Sequence, residues 1–96
     1  MKVRILTSAL RDLNRGQEFY ERQSEGLGGY FLDSLFSDVD SLAIYGGIHR
    51  KQFGYHRLLS KRFPFAIYYL LDREVVIVYR VLDCRQNPDT TRAALT

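Results

Sequence analysis

The chain has one cysteine, no tryptophan and two prolines in 96 residues. A single thiol, Cys84, excludes an internal disulfide framework and points to a reducing compartment. Zinc sites draw three or four ligands from cysteine, histidine and carboxylates. Cys84, His49 and His56 are the only soft or imidazole candidates, and their spacing matches no zinc pattern. No metal or other cofactor is expected. No stretch nears the roughly 20 apolar residues of a membrane-spanning helix. The longest apolar run, Phe63 to Leu71, has the length of a strand. The N-terminal segment carries basic residues and Asp12 without a secretory apolar run. The expectation is a cytoplasmic protein with no membrane partner.

The most informative absence is of one charge sign. Aspartate and glutamate are missing from Ser41 to Leu71, whereas seven of the eleven acids lie between Asp12 and Asp40. Arg50, Lys51, Arg57, Lys61, Arg62 and both histidines fall inside the acid-free window. The net charge of +3 is modest, but this segregation predicts a basic surface for an anionic partner.

What is present describes a folded chain. Seven tyrosines, six phenylalanines and a 46% hydrophobic content supply a core that disordered sequences lack. The length fits one domain, residues 1–96. Lys2 to Thr7 alternates as a half-exposed strand. Thr7 or Ser8 is placed to cap a helix over Ala9 to Gln23, with Asp12 near its positive end. Leu10, Leu13, Phe19 and Tyr20 are its larger apolar residues, and Gly16 weakens it slightly. Gly26-Leu27-Gly28-Gly29 predicts a turn. Phe31, Leu35, Val39 and Leu42 recur at helical spacing, predicting a second helix from Tyr30 to Tyr45.

After Gly54 the period changes to that of strands. Tyr55–Lys61, Phe65–Leu71 and Val75–Leu82 read as three strands, with Asp72-Arg73-Glu74 a tight hairpin. In the last, Val75, Ile77, Tyr79 and Val81 share one face; Val76, Val78, Leu82 and Arg80 share the other. Asn87-Pro88 predicts a capped short helix through Leu95. The order is β-α-α-β-β-β plus a short C-terminal helix. It predicts an α+β fold, an antiparallel sheet packed on a helical hairpin, with the first strand at the sheet edge.

Arg57, Lys61, Arg62 and Arg85 are the candidate anion- or target-binding residues. In a meander the end of the third strand lies near the start of the second, so Arg85 is expected to approach Arg57. Arginine binds phosphate or carboxylate in bidentate fashion; the competing reading is a solvated face paired with nearby acids. His56, beside Arg57, is a candidate acid or base, although a strand histidine is more often simply packed. His49 is a weaker candidate. Tyr55, Tyr68, Tyr69 and Tyr79 interleave with the cations as stacking platforms do, yet tyrosine is also an ordinary strand residue. Cys84 has no evident base and reads as a packed residue, and Asp83 as a partner that orients Arg85. The glycines at Gly26, Gly28 and Gly29 follow a helix, not a strand, so they form no phosphate-binding loop.

Several segments together resemble a known family. They are Ala9…Asp12-Leu13…Phe19-Tyr20-Glu21…Gly26-Leu27-Gly28…Phe31, then Gly54-Tyr55-His56-Arg57 and Lys61-Arg62-Phe63-Pro64-Phe65-Ala66-Ile67-Tyr68-Tyr69, and finally Val81-Leu82-Asp83-Cys84-Arg85. Over nearly the whole chain the pattern is similar to the RelE/ParE superfamily, the toxins of bacterial type II toxin–antitoxin modules. The resemblance implies a cognate antitoxin as partner, and contact with operator DNA only indirectly, through that antitoxin. It implies one of two targets, DNA gyrase for ParE-like members or ribosome-bound mRNA for RelE-like nucleases. The positions of the RelE-type catalytic set hold Arg57, Leu59, Ala66, Arg85 and Thr91 here, so only two arginines match. The resemblance therefore implies a ParE-like growth inhibitor of the plasmid-stabilising kind. The alternatives are an mRNA endoribonuclease using His56, Arg57 and Arg85, and a non-toxic module binding nucleic acid or protein through the same patch. Antitoxin-contacting residues are not identified.

Overall fold

The computed structural model describes residues 1–96. Its elements are β1 (Lys2–Ile5), α1 (Thr7–Gln23), α2 (Leu27–Tyr45), β2 (Lys51–Gln52), β3 (Tyr55–Leu59), β4 (Phe65–Asp72), β5 (Val75–Asp83) and α3 (Pro88–Ala94). They form one five-stranded sheet in the order β1-β5-β4-β3-β2. The expected meander is there, with β3, β4 and β5 antiparallel. The sheet as a whole is mixed, however, because β1 pairs with β5 in parallel. The cause is β2, a two-residue strand too short to leave a period in the sequence. It adds one reversal of chain direction before the meander, so β5 runs the same way as β1.

α1 starts two residues earlier than its periodicity suggests, and neither Thr7 nor Ser8 caps it. The cap position is Leu6, which has no side-chain oxygen to offer. The Leu6 N–H instead donates to the Val78 carbonyl at 3.0 Å, continuing the sheet ladder into the helix. Ser8 Oγ donates to the Tyr79 carbonyl at 2.6 Å. The buried stripe is Ala9, Asp12, Leu13 and Gly16, at helical spacing, whereas Leu10 and Phe19 are exposed.

Only the first of the glycines at 26–29 acts as the predicted turn. Gly26 takes the left-handed conformation, φ 86°, and α2 begins at Leu27, carrying Gly28 and Gly29 inside the helix. The two helices approach closely there: a Cβ on Gly28 would lie 2.6 Å from the Gln17 carbonyl oxygen. The Glu21 carboxylate accepts from the N–H groups of Gly26 and Gly28, both at 2.9 Å. A negative charge from α1 thereby sits on the positive end of α2.

The helices cover one face of the sheet. Ala9, Leu13, Phe31, Leu35, Val39, Leu42, Phe63, Phe65, Ile67, Tyr69, Val76, Val78 and Val81 form the main core. Phe31 is its aromatic hub, 5.1 Å from Tyr20 and Phe63 and 5.0 Å from Phe65 between ring centres. The other sheet face buries a smaller cluster of Ala66, Tyr68, Leu82 and Leu95, against which Phe53, Tyr55 and Ala94 pack. α3 delivers Leu95 to it. That helix starts as its sequence suggests, with the Asn87 side chain accepting from the Asp89 N–H and Pro88 in the first turn.

The faces of β5 differ from simple alternation. Tyr68 lies opposite Arg80 but Tyr69 lies opposite Val78, a bulge that leaves Tyr79 as the extra residue. The phase changes there, so Val76 and Val78 from one expected face and Val81 from the other all face the core. Bulges re-aim side chains, and this one turns Arg80 toward α1.

Candidate functional site

The four cations singled out in the sequence do not form one cluster. Arg57 and its cross-strand neighbour Tyr68 share the sheet face away from the helical hairpin. Arg57 Nε donates to Tyr68 Oη at 3.1 Å, and Nη2 reaches Cys84 Sγ at 3.6 Å. β3 ends at Leu59, and the segment after it folds toward the helices. Ser60 Oγ donates to Asp38 Oδ2 at 2.7 Å, and the Lys61 N–H reaches the same oxygen at 3.4 Å. Phe63 then inserts into the core beside Tyr20 and Phe31. Arg62 lies over the Tyr30 ring, 6.0 Å from its centre. Lys61 and Arg62 are exposed cations beside α2, apart from the Arg57 face.

Arg85 follows Cys84, which Arg57 reaches, but its own side chain is already paired. Its N–H and Nε donate to Asp83 Oδ1 at 2.8 and 2.9 Å, and Nη2 to Oδ2 at 2.7 Å. These bonds hold the Asp83 carboxyl below its ordinary range and push the Arg85 guanidinium up. Asp83 thus orients Arg85 while neutralising it. Between the two arginines sits Cys84, whose thiol is pushed up mainly by desolvation, with Arg57 pulling the other way. It remains a thiol at neutral pH and is not an activated nucleophile.

His56 does not join Arg57, because successive strand residues point to opposite faces. Its ring stacks on Tyr69, centres 5.0 Å apart and planes 22° apart, and Nδ1 bonds to the His49 carbonyl at 2.6 Å. Donation to a carbonyl requires the proton on Nδ1. His49 bonds through its own Nδ1 to Tyr69 Oη at 2.5 Å, and the same hydroxyl accepts from the Gly47 N–H at 2.9 Å. Burial, then the neighbouring His56, hold the His49 pKa below its usual value. These contacts fasten the α2–β2 connection to the sheet. The set His56, Arg57 and Arg85 required for the nuclease alternative is not assembled.

The remaining positions of the RelE-type set, Leu59, Ala66 and Thr91, differ from those of a basic catalytic face. Leu59 projects into solvent at 53% exposure, and Ala66 is fully buried. Thr91 is buried in α3. What the sequence did not mark is a pocket at the sheet edge of about 420 Å³, lined by His49, Arg50, Lys51, Gln52, Arg57 and Leu59. Arg50 and Lys51 were counted in the acid-free window but given no strand partner, because β2 has no periodicity; Gly54 was the only turn signal, and it and Phe53 both take positive φ in the β2–β3 turn. A second groove of about 350 Å³ runs along the open edge of β5 between α1 and α3, lined in part by Arg15, Phe19, Phe65, Arg80 and Ala94. No three His, Cys, Asp or Glu side chains gather as metal ligands would, and no helix is long and apolar enough to cross a membrane.

Comparison with known proteins rests on structure. No family model matches the chain, and no curated protein matches it. A solved structure described as the chromosomal ParDE TA system from P. aeruginosa is similar to it, with a TM-score of 0.70 and 18% identity, covering 84% of this chain and 92% of that one. The chain has the RelE/ParE-like fold. At that identity the likeness speaks for the arrangement of helices and sheet, and the site must be judged on its own residues.

Proposed function

We propose that this chain is the toxin of a type II toxin–antitoxin module, acting in the cytoplasm by binding an essential target. The mode is that of a ParE-like inhibitor of DNA gyrase, with a cognate antitoxin neutralising it. The observation that carries the reading is the extent of the fold likeness, which spans 84% of the chain and includes most of a ParDE-system chain. The site supports binding in preference to cleavage. Phosphodiester hydrolysis needs a placed base and acid, yet His56 lies on the opposite face from Arg57, and Leu59 and Ala66 offer no proton. Arg57, held by Tyr68 and Cys84, is instead a rigid cationic contact. Exposed Lys61 and Arg62 add charge beside α2, and Arg85 contributes a shape already fixed by Asp83.

The antitoxin segment is assigned to the groove along the β5 edge. Phe19 at 46% exposure offers an apolar anchor for an amphipathic segment, in a groove whose charged lining sets Arg15 and Arg80 against Asp12 and Asp83.

Induced expression in bacteria tests the proposal. Growth arrest that is relieved by co-expressing the neighbouring open reading frame, together with a DNA-damage response and arrested replication, is the expected result. Absence of arrest removes the toxin reading. Arrest with transcripts cut at codon boundaries replaces gyrase with the ribosome.

A further inference from the structure

We propose that the surface around the end of α2 is a two-fold interface between copies of this chain, centred on Ile44, Tyr45 and Ile48. It lies away from both the Arg57 face and the groove along the β5 edge, so it does not rest on the toxin reading.

Ser41 to Ile48 carries no charged side chain, and Leu42 is the last buried residue of α2. Beyond it the apolar residues face water. Ile44 and Ile48 are the most exposed large apolar residues of the chain, at 75% and 71%, and Tyr45 is exposed between them. The Ile48 N–H donates to the Tyr45 carbonyl at 3.2 Å, which folds Ile48 back beside the last turn of the helix. The sheet extends the patch. A Cβ on Gly46 would lie 2.8 Å from Met1 Cε, and one on Gly47 2.8 Å from Leu71 Cδ1, so these two exposed side chains close on the turn. Apolar residues exposed singly are ordinary, whereas a contiguous patch marks a contact surface. A patch of this make-up is on the order of 500 Å², so two copies together bury about 1,000 Å², the lower limit for a specific interface. The dimer is accordingly weak and depends on concentration.

The charges at the rim identify the occupant as a second copy. Asp40 stands one turn before Ile44 on the same helix face. Asp72, Arg73 and Glu74 follow Leu71 at the hairpin tip, and Lys2, Arg73 and Glu74 line one pocket with Met1. All five rim residues are exposed, and none belongs to an ion pair of the chain. A nucleic acid would satisfy only the cations, and a protein segment of one charge sign only half of the rim. A two-fold contact sets the same mixed rim against itself, so that cations of one copy meet acids of the other around an apolar centre. The contact also leaves the β5-edge groove open. The patch adjoins Val75 at the start of β5, whereas the groove reaches Asp83 at its end.

Sedimentation velocity of the full chain over about 5–500 µM tests the proposal. The expected result is a weight-average mass that rises from monomer toward dimer and no further. Ile44→Lys places a cation four residues after Asp40 near the end of the helix, which suits the helix itself but not an apolar contact. It and Ile48→Lys should each raise the dissociation constant at least tenfold with an unchanged melting temperature. Leu10→Lys, on the exposed side of α1, should change it less than twofold. Arg73→Glu, which leaves the rim with acids in excess, should weaken the dimer at least threefold. A chain that stays monomeric throughout, a mass that grows past the dimer, or equal weakening by Leu10→Lys overturns the proposal. A monomeric chain that loses antitoxin binding in Ile44→Lys overturns it in favour of that partner.

Discussion

Asp12 and Arg80 lie 68 residues apart in sequence and form a bidentate pair, with Arg80 Nε and Nη2 donating to the two Asp12 carboxylate oxygens at 2.7 and 2.8 Å. The Asp12 side chain is only 4% exposed, and it also accepts the Val81 N–H at 2.9 Å. Arg80 Nη1 donates onward to the Ala94 carbonyl at 3.0 Å. One ion pair therefore joins α1, β5 and α3, and it closes the part of the β5 edge that β1 is too short to reach. These bonds raise the pKa of Arg80. Asp12→Ala would strand a partly buried guanidinium and an unpaired backbone N–H, at a cost of about 3 kcal/mol. Urea unfolding should show this as a lower midpoint with an unchanged slope. Pairing Asp12→Leu with Arg80→Met should recover part of the loss, and a double variant no better than Asp12→Ala would sink the account.

Gly16 is the position where local and tertiary preferences conflict. Alanine is favoured over glycine within a helix by about 1 kcal/mol, so Gly16→Ala reads from sequence as stabilising. In the fold, a Cβ there would lie 2.4 Å from Phe31 Cζ. Phe31 is fully buried among Tyr20, Phe63 and Phe65 and has little room to withdraw. Overpacking of this kind costs roughly 1–3 kcal/mol. Gly16→Ala should therefore lower the melting temperature, and a rise would mean the aromatic cluster yields readily.

The same contrast explains what was legible beforehand. The helices, the three long strands and their hairpin followed from apolar spacing and glycine punctuation, because those signals are local. The parallel pairing of β1, the bulge at Tyr79 and the partner of Asp12 were not local. Asp12 sits one turn into a helix, where a carboxylate also suits the dipole, and nothing in its neighbourhood announces Arg80. For the site, the acid-free window correctly marked the basic region. It failed to separate Lys61 and Arg62 from Arg57, because the strand ends at Leu59 and Asp38 draws the next residues toward α2. It included Arg50 and Lys51 but gave them no place in the sheet, because the pairing of β2 with β3 leaves no period in the sequence.

The Glu21 carboxylate supplies the cap that the glycine-rich start of α2 lacks. Removing it leaves the Gly26 and Gly28 N–H groups without an acceptor, and caps of this type contribute about 1 kcal/mol. Glu21→Ala should lower stability by that amount and accelerate hydrogen exchange at Gly26 and Gly28 before the core exchanges. Glu21→Gln, which keeps an acceptor but loses the charge, should fall between. Unchanged exchange at both glycines in Glu21→Ala would remove the capping role.

Acid should loosen the α2–β2 connection through His49. Its folded pKa lies below the ordinary value of 6.5, so protons bind the unfolded chain more readily. The stabilising contribution is complete above about pH 6.5 and declines as the pH falls through the lowered folded value. Protonated His49 must donate to Tyr69 Oη, which already accepts from Gly47 and would then leave its own buried proton without an acceptor. Between pH 7.5 and 5.5 the wild type should lose stability, and His49→Asn, which cannot take up the proton, should show a shallower decline. Parallel curves for the two proteins would exclude His49 as the source.

Growth arrest should depend on how Arg57 is held as well as on its charge. Tyr68 Oη fixes Nε from the neighbouring strand, and Tyr68 is nearly fully buried, so the guanidinium direction is set by the core. Arg57→Gln removes the cation and should raise the inducer level needed for arrest by at least tenfold. Tyr68→Phe keeps the cation and the packing but frees its orientation, and should produce a smaller shift in the same direction. His56→Asn should leave arrest near wild type once its expression level is matched, since His56 faces Tyr69 on the other side of the sheet. A His56 variant as inactive as Arg57→Gln, at equal abundance and unchanged melting temperature, would restore an acid–base step and with it the nuclease.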